Sequence, residues 1–359
     1  MAYYYRRRPP RRMTGCGVIL SIVAVLLGLW LGVREALSPL LPRRAWRLKT
    51  GEAFCSPPLV SGGVVLAGTA EGTLYILRAR SGEVVAKGSA LLGSFVRPLL
   101  AEGLAIFASD DFRVYALRAR TGQIKWRAEM GGSVRAPLAL SGRAVIAGAD
   151  SGRVCALLLP EGREVWSASV GGVVRALCAD ARRCYVAVRL GRVLALDVRD
   201  GKRLWERHFP SPVAPGMTAA WDRLFLALLD GTILCLEGGT GKEVWRSRAG
   251  EPTEFGPCVT GEAVILATTK GKVLALSTGS GKRRWGASLG APAGCQPSSA
   301  VGLVAVGDDK GRVHIFDLEG RRLWRGKVGG RIWGLHLSME GLLVVAAGRE
   351  GLFLFDLWR

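Results

Sequence analysis

Beyond residue 45 the chain is a succession of short apolar runs broken by polar turns that contain glycine. One stretch shows the unit: Val134 to Leu140, Ala144 to Ala147, Arg153 to Leu159 and Glu164 to Ala168 are separated by Ser-Gly, Asp-Ser-Gly and Glu-Gly. Runs of this length, rich in Val, Leu, Ile and Ala, predict strands, and the turn glycines supply the positive φ that tight hairpins require. No apolar period near 3.6 residues is visible there, so helices are not expected. The N-terminal pattern differs, because Met13 to Val33 is an uncharged run of 21 residues ended by Arg34 and Glu35. At about 1.5 Å per residue, such a run spans the roughly 30 Å hydrocarbon core of a bilayer as a helix.

The strand unit repeats. A small or acidic residue, a glycine, a few mostly polar residues and a tryptophan recur as TGQIKW ending at Trp126, EGREVW at Trp166, DGKRLW at Trp205, TGKEVW at Trp245, SGKRRW at Trp285 and EGRRLW at Trp324. Trp46 opens the series, and Val85 is assigned to the slot between Trp46 and Trp126. A period of about 40 residues with four strands per repeat predicts a β-propeller, not a solenoid of helices. After Trp324 three more strands are expected, Ile332 to Leu337, Leu342 to Ala347 and Leu352 to Leu357, whereas the segment at Trp46 is a fourth strand with no blade before it. Pairing Trp46 to Lys49 with Leu352 to Leu357 completes an eighth blade and removes the open edges of the ring. The expected protein is all-β, an eight-bladed propeller of four-stranded antiparallel blades closed by its N- and C-terminal strands and preceded by one transmembrane helix. Its parts are a basic N-terminus at 1–12, a signal anchor at 13–33, a linker at 34–45 and the propeller at 46–359.

Charge adds a topology. The formal net charge is +21, and residues 1–50 hold ten Lys and Arg against one Glu. Arg6, Arg7, Arg8, Arg11 and Arg12 precede the apolar run, which places the N-terminus in the cytoplasm and the propeller outside it, in the periplasm or beyond the cell. No Ala-x-Ala site follows Val33, so the segment is expected to stay uncleaved and to make this a single-pass membrane protein. The remaining basic excess is spread along the body, which describes a generally basic surface and not a nucleic-acid interface.

Two repeats carry a family resemblance. GRVLALDVRDGKRLW from Gly191 to Trp205 and GKVLALSTGSGKRRW from Gly271 to Trp285 resemble the repeat of the PQQ-like propellers, in the quinoprotein alcohol dehydrogenase-like superfamily. The resemblance covers about residues 50–359 and implies that Trp46, Trp126, Trp166, Trp205, Trp245, Trp285 and Trp324 dock blade on blade. Quinone enzymes of that superfamily carry adjacent cysteines and a Ca²⁺ site of carboxylates and amides. This chain has no adjacent Cys pair and no compact set of oxygen ligands, so no cofactor and no metal is expected. In layout it is similar to the non-enzymatic BamB-like outer-membrane assembly propellers. That similarity implies a non-catalytic, membrane-anchored, protein-binding scaffold of the cell envelope, with envelope proteins and the bilayer as partners, assisting assembly of membrane or secreted proteins. A quinone-dependent oxidoreductase and a sensor of an extracytoplasmic ligand are the alternatives.

Few residues outside the repeat carry chemistry. His208, His314 and His336 are far apart and are expected on blade surfaces. Asp110-Asp111 and Asp308-Asp309 are expected as solvated turn residues, without the third alternating carboxylate of a calcium loop. Cys178 and Cys184 flank a turn and form a candidate disulfide, while Cys155 and Cys235 suit small core positions. In a four-stranded blade, the loop leading into the innermost strand and the turn between the second and third strands emerge on one face. Counting nine residues on from each repeat position places Arg135, Arg175 and Trp333 at such lead-ins, with Arg97 and Arg331 nearby. These five residues form a candidate partner-binding rim, a basic mouth to the central channel with an aromatic anchor, suited to an acidic peptide or an anionic polymer.

Overall fold

The computed structural model describes residues 42–93 and 96–358. The basic N-terminus, the expected membrane anchor at 13–33 and most of the linker lie outside the described residues. Among the described residues, no helix is long and apolar enough to cross a membrane.

Eight four-stranded antiparallel sheets make up the body. Blades 1 to 7 occupy residues 59–89, 99–129, 139–169, 174–208, 218–248, 258–288 and 298–327 in chain order. Within each, sequential strands pair with their neighbours, and the first strands of successive blades touch, which puts them innermost. The two middle strands are nearly continuous buried runs, as Ala144–Gly148 and Arg153–Leu158 show, because neighbouring blades cover both of their faces. The outermost strand alternates, as in Glu243–Arg248, with one side against the next blade and one side in solvent.

The innermost strands are shorter than the apolar pattern suggests. Ala139–Ser141 replaces the expected run from Val134, and a proline stands immediately before the strand in blades 1, 2, 6 and 7, at Pro58, Pro98, Pro257 and Pro297. Proline has no N–H to give to a ladder, so pairing begins only after it. Blade 4 has no proline there, and its innermost strand Val174–Ala179 is twice as long as that of blade 3. Side chains stitch the innermost strands together: the Thr218 hydroxyl donates to the Pro257 carbonyl at 3.0 Å, and Ser298 Oγ accepts the Leu337 N–H at 3.1 Å.

The repeat motif is one contact split between two blades. Trp205 on the outermost strand of blade 4 lies over Gly241 in the last turn of blade 5, where an added Cβ would come within 2.7 Å of the indole. Its Nε1 donates to the Gly238 carbonyl at 2.8 Å. Gly241 holds φ at +66°, so its residue type is set twice, by backbone conformation and by the ring above it. The same arrangement joins Trp46 to Gly82, Trp126 to Gly162, Trp166 to Gly201, Trp245 to Gly281 and Trp285 to Gly320. Trp324 meets the eighth blade edge-on at Phe355, with ring centroids 5.5 Å apart. Buried clusters fill the seams, such as Leu194 and Leu196 with Ile146 and Val154 between blades 3 and 4. Assignment of Val85 to the vacant slot is corrected by the register. Ala86 pairs with Ile76 as Trp126 pairs with Ala116, so Ala86 holds the indole position and Gly122 rests on Ala86 and Lys87 instead.

Blade 8 draws on both chain ends. Arg43–Leu48 pairs antiparallel with Leu352–Asp356, setting Trp46 opposite Leu354 and Leu48 opposite Leu352. The closing strand thus begins at Arg43, three residues ahead of the expected start, with a register shift between Arg44 and Trp46. Arg47 secures the join through its guanidinium, which donates to the Glu350 carbonyl at 2.7 Å and pairs with its carboxylate at 3.0 Å.

Two outcomes follow from this geometry. Deleting residues 350–359 removes the partner of the closing strand, and cooperative unfolding of the whole body should shift to markedly lower temperature; an unaltered transition would contradict closure. Trp205→Ala should destabilise by about 3–5 kcal/mol in denaturant titration, and a loss under about 1 kcal/mol would mean that the seam does not depend on the indole.

Candidate functional site

The inter-blade loops and the turns between second and third strands share one face, and all five rim candidates derive from it. Arg135 lies there with both sides of its guanidinium engaged: Nε and Nη2 donate to Asp110 at 3.0 and 3.1 Å, and Nη1 is 3.8 Å from Asp150. Arg331 is similarly held, 3.4 Å from Asp309 and stacked over the Trp333 ring at 4.8 Å. Trp333 itself is 41% exposed. These two arginines tie each loop to the preceding blade and leave little free positive charge at the mouth. Arg97 is turned inward. It is half-buried beside the innermost strands, with Nη2 3.5 Å from the Leu335 carbonyl.

Arg175 stands apart. It is exposed on the innermost strand of blade 4 and makes no hydrogen bond or ion pair among the described residues. It lines a groove of about 420 Å³ between blades 4 and 5 together with Arg189, Leu190, Val213, Leu229 and Glu254. Arg189 is likewise exposed and without an ion pair among the described residues. Leu190 is 83% exposed and holds φ at +65°. A branched-chain residue in the left-handed region carries a backbone cost. Counting from the tryptophans finds Arg175 and Glu254 but misses Arg189, Leu190 and Leu229. The signal for them was present: Arg189-Leu190-Gly191 replaces the polar turn seen as Asp150-Ser151-Gly152 one blade earlier. Leu91, Leu92 and Phe112 make a second exposed apolar group on the same face, at blades 1 and 2. On the opposite face, a depression of about 650 Å³ at the closing seam is lined by Arg43, Arg80, Glu340, Asp356 and Trp358. Its charges are evenly divided between the signs, whereas the blade 4–5 groove sets two arginines against one glutamate.

Several expectations are corrected. Asp308 and His314 are fully buried, not solvated. The Asp308 carboxylate accepts the backbone N–H groups of Lys310 and Arg312, each at 2.9 Å, the Arg312 Nε at 2.6 Å and the His314 Nε2 at 3.2 Å. Burial pushes this carboxyl up, and the donors outweigh it and hold it below the usual range. Cys178 and Cys184 are free thiols. Cys178 lies opposite Tyr185 and Cys184 opposite Ala179, so strand alternation sends the two sulfurs to opposite faces of the blade. Cys184 packs toward blade 3 and Cys178 toward blade 5. His336 is half-buried on the innermost strand of blade 8, where its Nδ1 accepts the Val60 N–H at 3.2 Å. Cys155 and Cys235 are buried in the core. Among the described residues, no group of three or more His, Cys, Asp or Glu could hold a metal ion.

The buried imidazoles give the body an acid sensitivity with a definite sign. Burial lowers the His336 pKa to about 3, aided by Arg97, and burial also lowers that of His314 against the pull of Asp308. Both imidazoles take up a proton at lower pH in the native chain than in the unfolded one, where His titrates near 6.5, so the unfolded state binds more protons below that pH. Stability should fall as pH drops from about 6.5 toward 3. His336→Gln should flatten that slope in denaturant titrations at several pH values, and an unchanged slope would contradict the assignment.

Known proteins share this architecture. The family model described as outer membrane protein assembly factor BamB matches residues 35–177 and 189–332. The crystal structure of BamB from Moraxella catarrhalis superposes with a TM-score of 0.73 at 21% identity, covering 88% of this chain and 99% of that one. A computationally designed protein, Ika8, superposes with a TM-score of 0.80 at 15% identity over 88% of this chain and 99% of its own. No curated protein matches the sequence. At these identities the two structures speak to the fold.

Proposed function

This chain belongs to the family of the outer membrane protein assembly factor BamB, and on that premise we propose that its propeller is a non-catalytic scaffold of the cell envelope that holds partner proteins on its loop rim and assists assembly of membrane or secreted proteins. The observation that carries this reading is the groove between blades 4 and 5, where Leu190 and Leu229 stand exposed beside Arg175 and Arg189. Covering the leucines removes apolar area from water at about 25 cal/mol per Å². The two guanidiniums make no internal ion pair that docking would have to break, and each can take a carboxylate through two parallel N–H bonds. The groove therefore suits a protein segment that mixes apolar and acidic residues. Trp333, backed by Arg331, adds an aromatic contact on the same rim, of the kind enriched in binding hot spots. Arg135 contributes by fixing the loops around it.

Residues 13–33 complete the proposal as the anchor, with the N-terminus in the cytoplasm and the propeller outside it. Because Arg43–Leu48 is an outermost strand running toward the rim, the chain joins the propeller on the face opposite the groove.

A photo-crosslinking residue at position 190 should yield protein adducts in intact cells, and one at position 339, on the opposite face, should not. Arg175→Glu combined with Arg189→Glu should reduce the adducts at least tenfold while leaving thermal unfolding unchanged. Equal adducts from both faces, or no loss in the double variant, would dismiss the groove as the docking site.

A further inference from the structure

One cation reaches between blades that are not neighbours. Arg97 leads into the innermost strand of blade 2, Leu99–Ala101, and its Nη2 reaches toward the Leu335 carbonyl on the innermost strand of blade 8. It also acts electrostatically on Cys258 of blade 6, which in a ring of eight is the blade diametrically opposite. Cys295 of blade 7 and His336 of blade 8 feel the same charge. Because the Leu335 carbonyl belongs to blade 8 and Arg97 to blade 2, the guanidinium reaches past the innermost strand of blade 1 toward the central channel.

Its bonding is incomplete. The contact to Leu335 is 3.5 Å, long for a hydrogen bond, and Nε is buried with no partner. No described carboxylate pairs with it, in contrast to Arg135, Arg312 and Arg331. A guanidinium does not shed its proton, so a buried one without a counter-charge is expensive. A second donor follows Leu335 on the same innermost strand. His336 Nδ1 accepts the Val60 N–H, which places the ring proton of the neutral imidazole on Nε2 and makes that nitrogen a donor. Arg97 and His336 thus offer N–H donors and positive charge with no paired carboxylate among the described residues.

We propose that the central channel binds a small oxyanion, a carboxylate or phosphate, on Arg97 with His336 as the second donor. Two oxygens of such a group match the planar fork of the guanidinium. This site is separate from the rim groove, and neither reading depends on the other.

The test is calorimetric titration of the full chain with sodium acetate and, separately, with inorganic phosphate at fixed ionic strength. The wild-type protein should bind at least one of the two saturably at one site per chain, and Arg97→Gln should weaken that binding at least tenfold. The wild-type melting temperature should rise with the anion, and that of Arg97→Gln should not. If Arg97→Gln does not fold, Arg97→Lys keeps the charge without the fork and should still bind at least threefold more weakly. Absence of saturable binding by either anion, or unchanged affinity in the variant that folds, overturns the proposal. Loss of binding with the rim groove still crosslinking would support the channel site and leave the rim reading intact.

Discussion

The antiparallel join between Arg43–Leu48 and Leu352–Asp356 is the constraint on which the molecule depends. Seven blades are continuous in the chain and could stack as an open arc, but an arc presents two raw faces, each a row of buried-type side chains. The eighth blade removes both faces at once because it is assembled from the two ends. Every seam then has the same composition on either side, a two-faced apolar sheet against its neighbour. The indole–glycine contact repeats around the ring because each blade must meet the next at the same angle. Where the indole is missing, at Ala86, the backbone of Lys87 takes the glycine turn, so the seam shifts chemistry without losing contact.

Ring closure is legible in the sequence because its signal is arithmetic: tryptophans at a near-constant interval, then three strands lacking a fourth. Strand lengths were less legible. The innermost strands are shortened by prolines whose missing N–H delays the ladder, an effect that an apolar run conceals. The slip from Ala86 to Val85 arose because no indole fills that slot, and the only mark of it is the glycine at 82, four residues before.

The candidate site was less legible for a physical reason. A guanidinium is a site or a strut according to what faces it, and the faces come from other blades. Arg135 and Arg331 find Asp110 and Asp309 more than twenty residues earlier in the chain and become struts. Arg175 finds no such partner and remains available. Arg97 reaches across the ring toward a blade more than two hundred residues away, which no local pattern encodes. Likewise Asp308 looks like a turn residue in sequence, and only the fold brings His314 and Arg312 onto its carboxylate. Alternation along a strand does have local rules, and the separation of Cys178 from Cys184 onto two faces follows from them once the register is known.

The closure that organises all of this can be followed amide by amide through native-state hydrogen exchange. If the two ends lock one blade, amides of Arg43–Leu48 that bond to Leu352–Asp356 will exchange only through global unfolding, at the rate of the bonded amides of Leu342–Ala346. If those N-terminal amides exchange freely while the seven internal blades stay protected, the ring is not closed by this strand and the account fails.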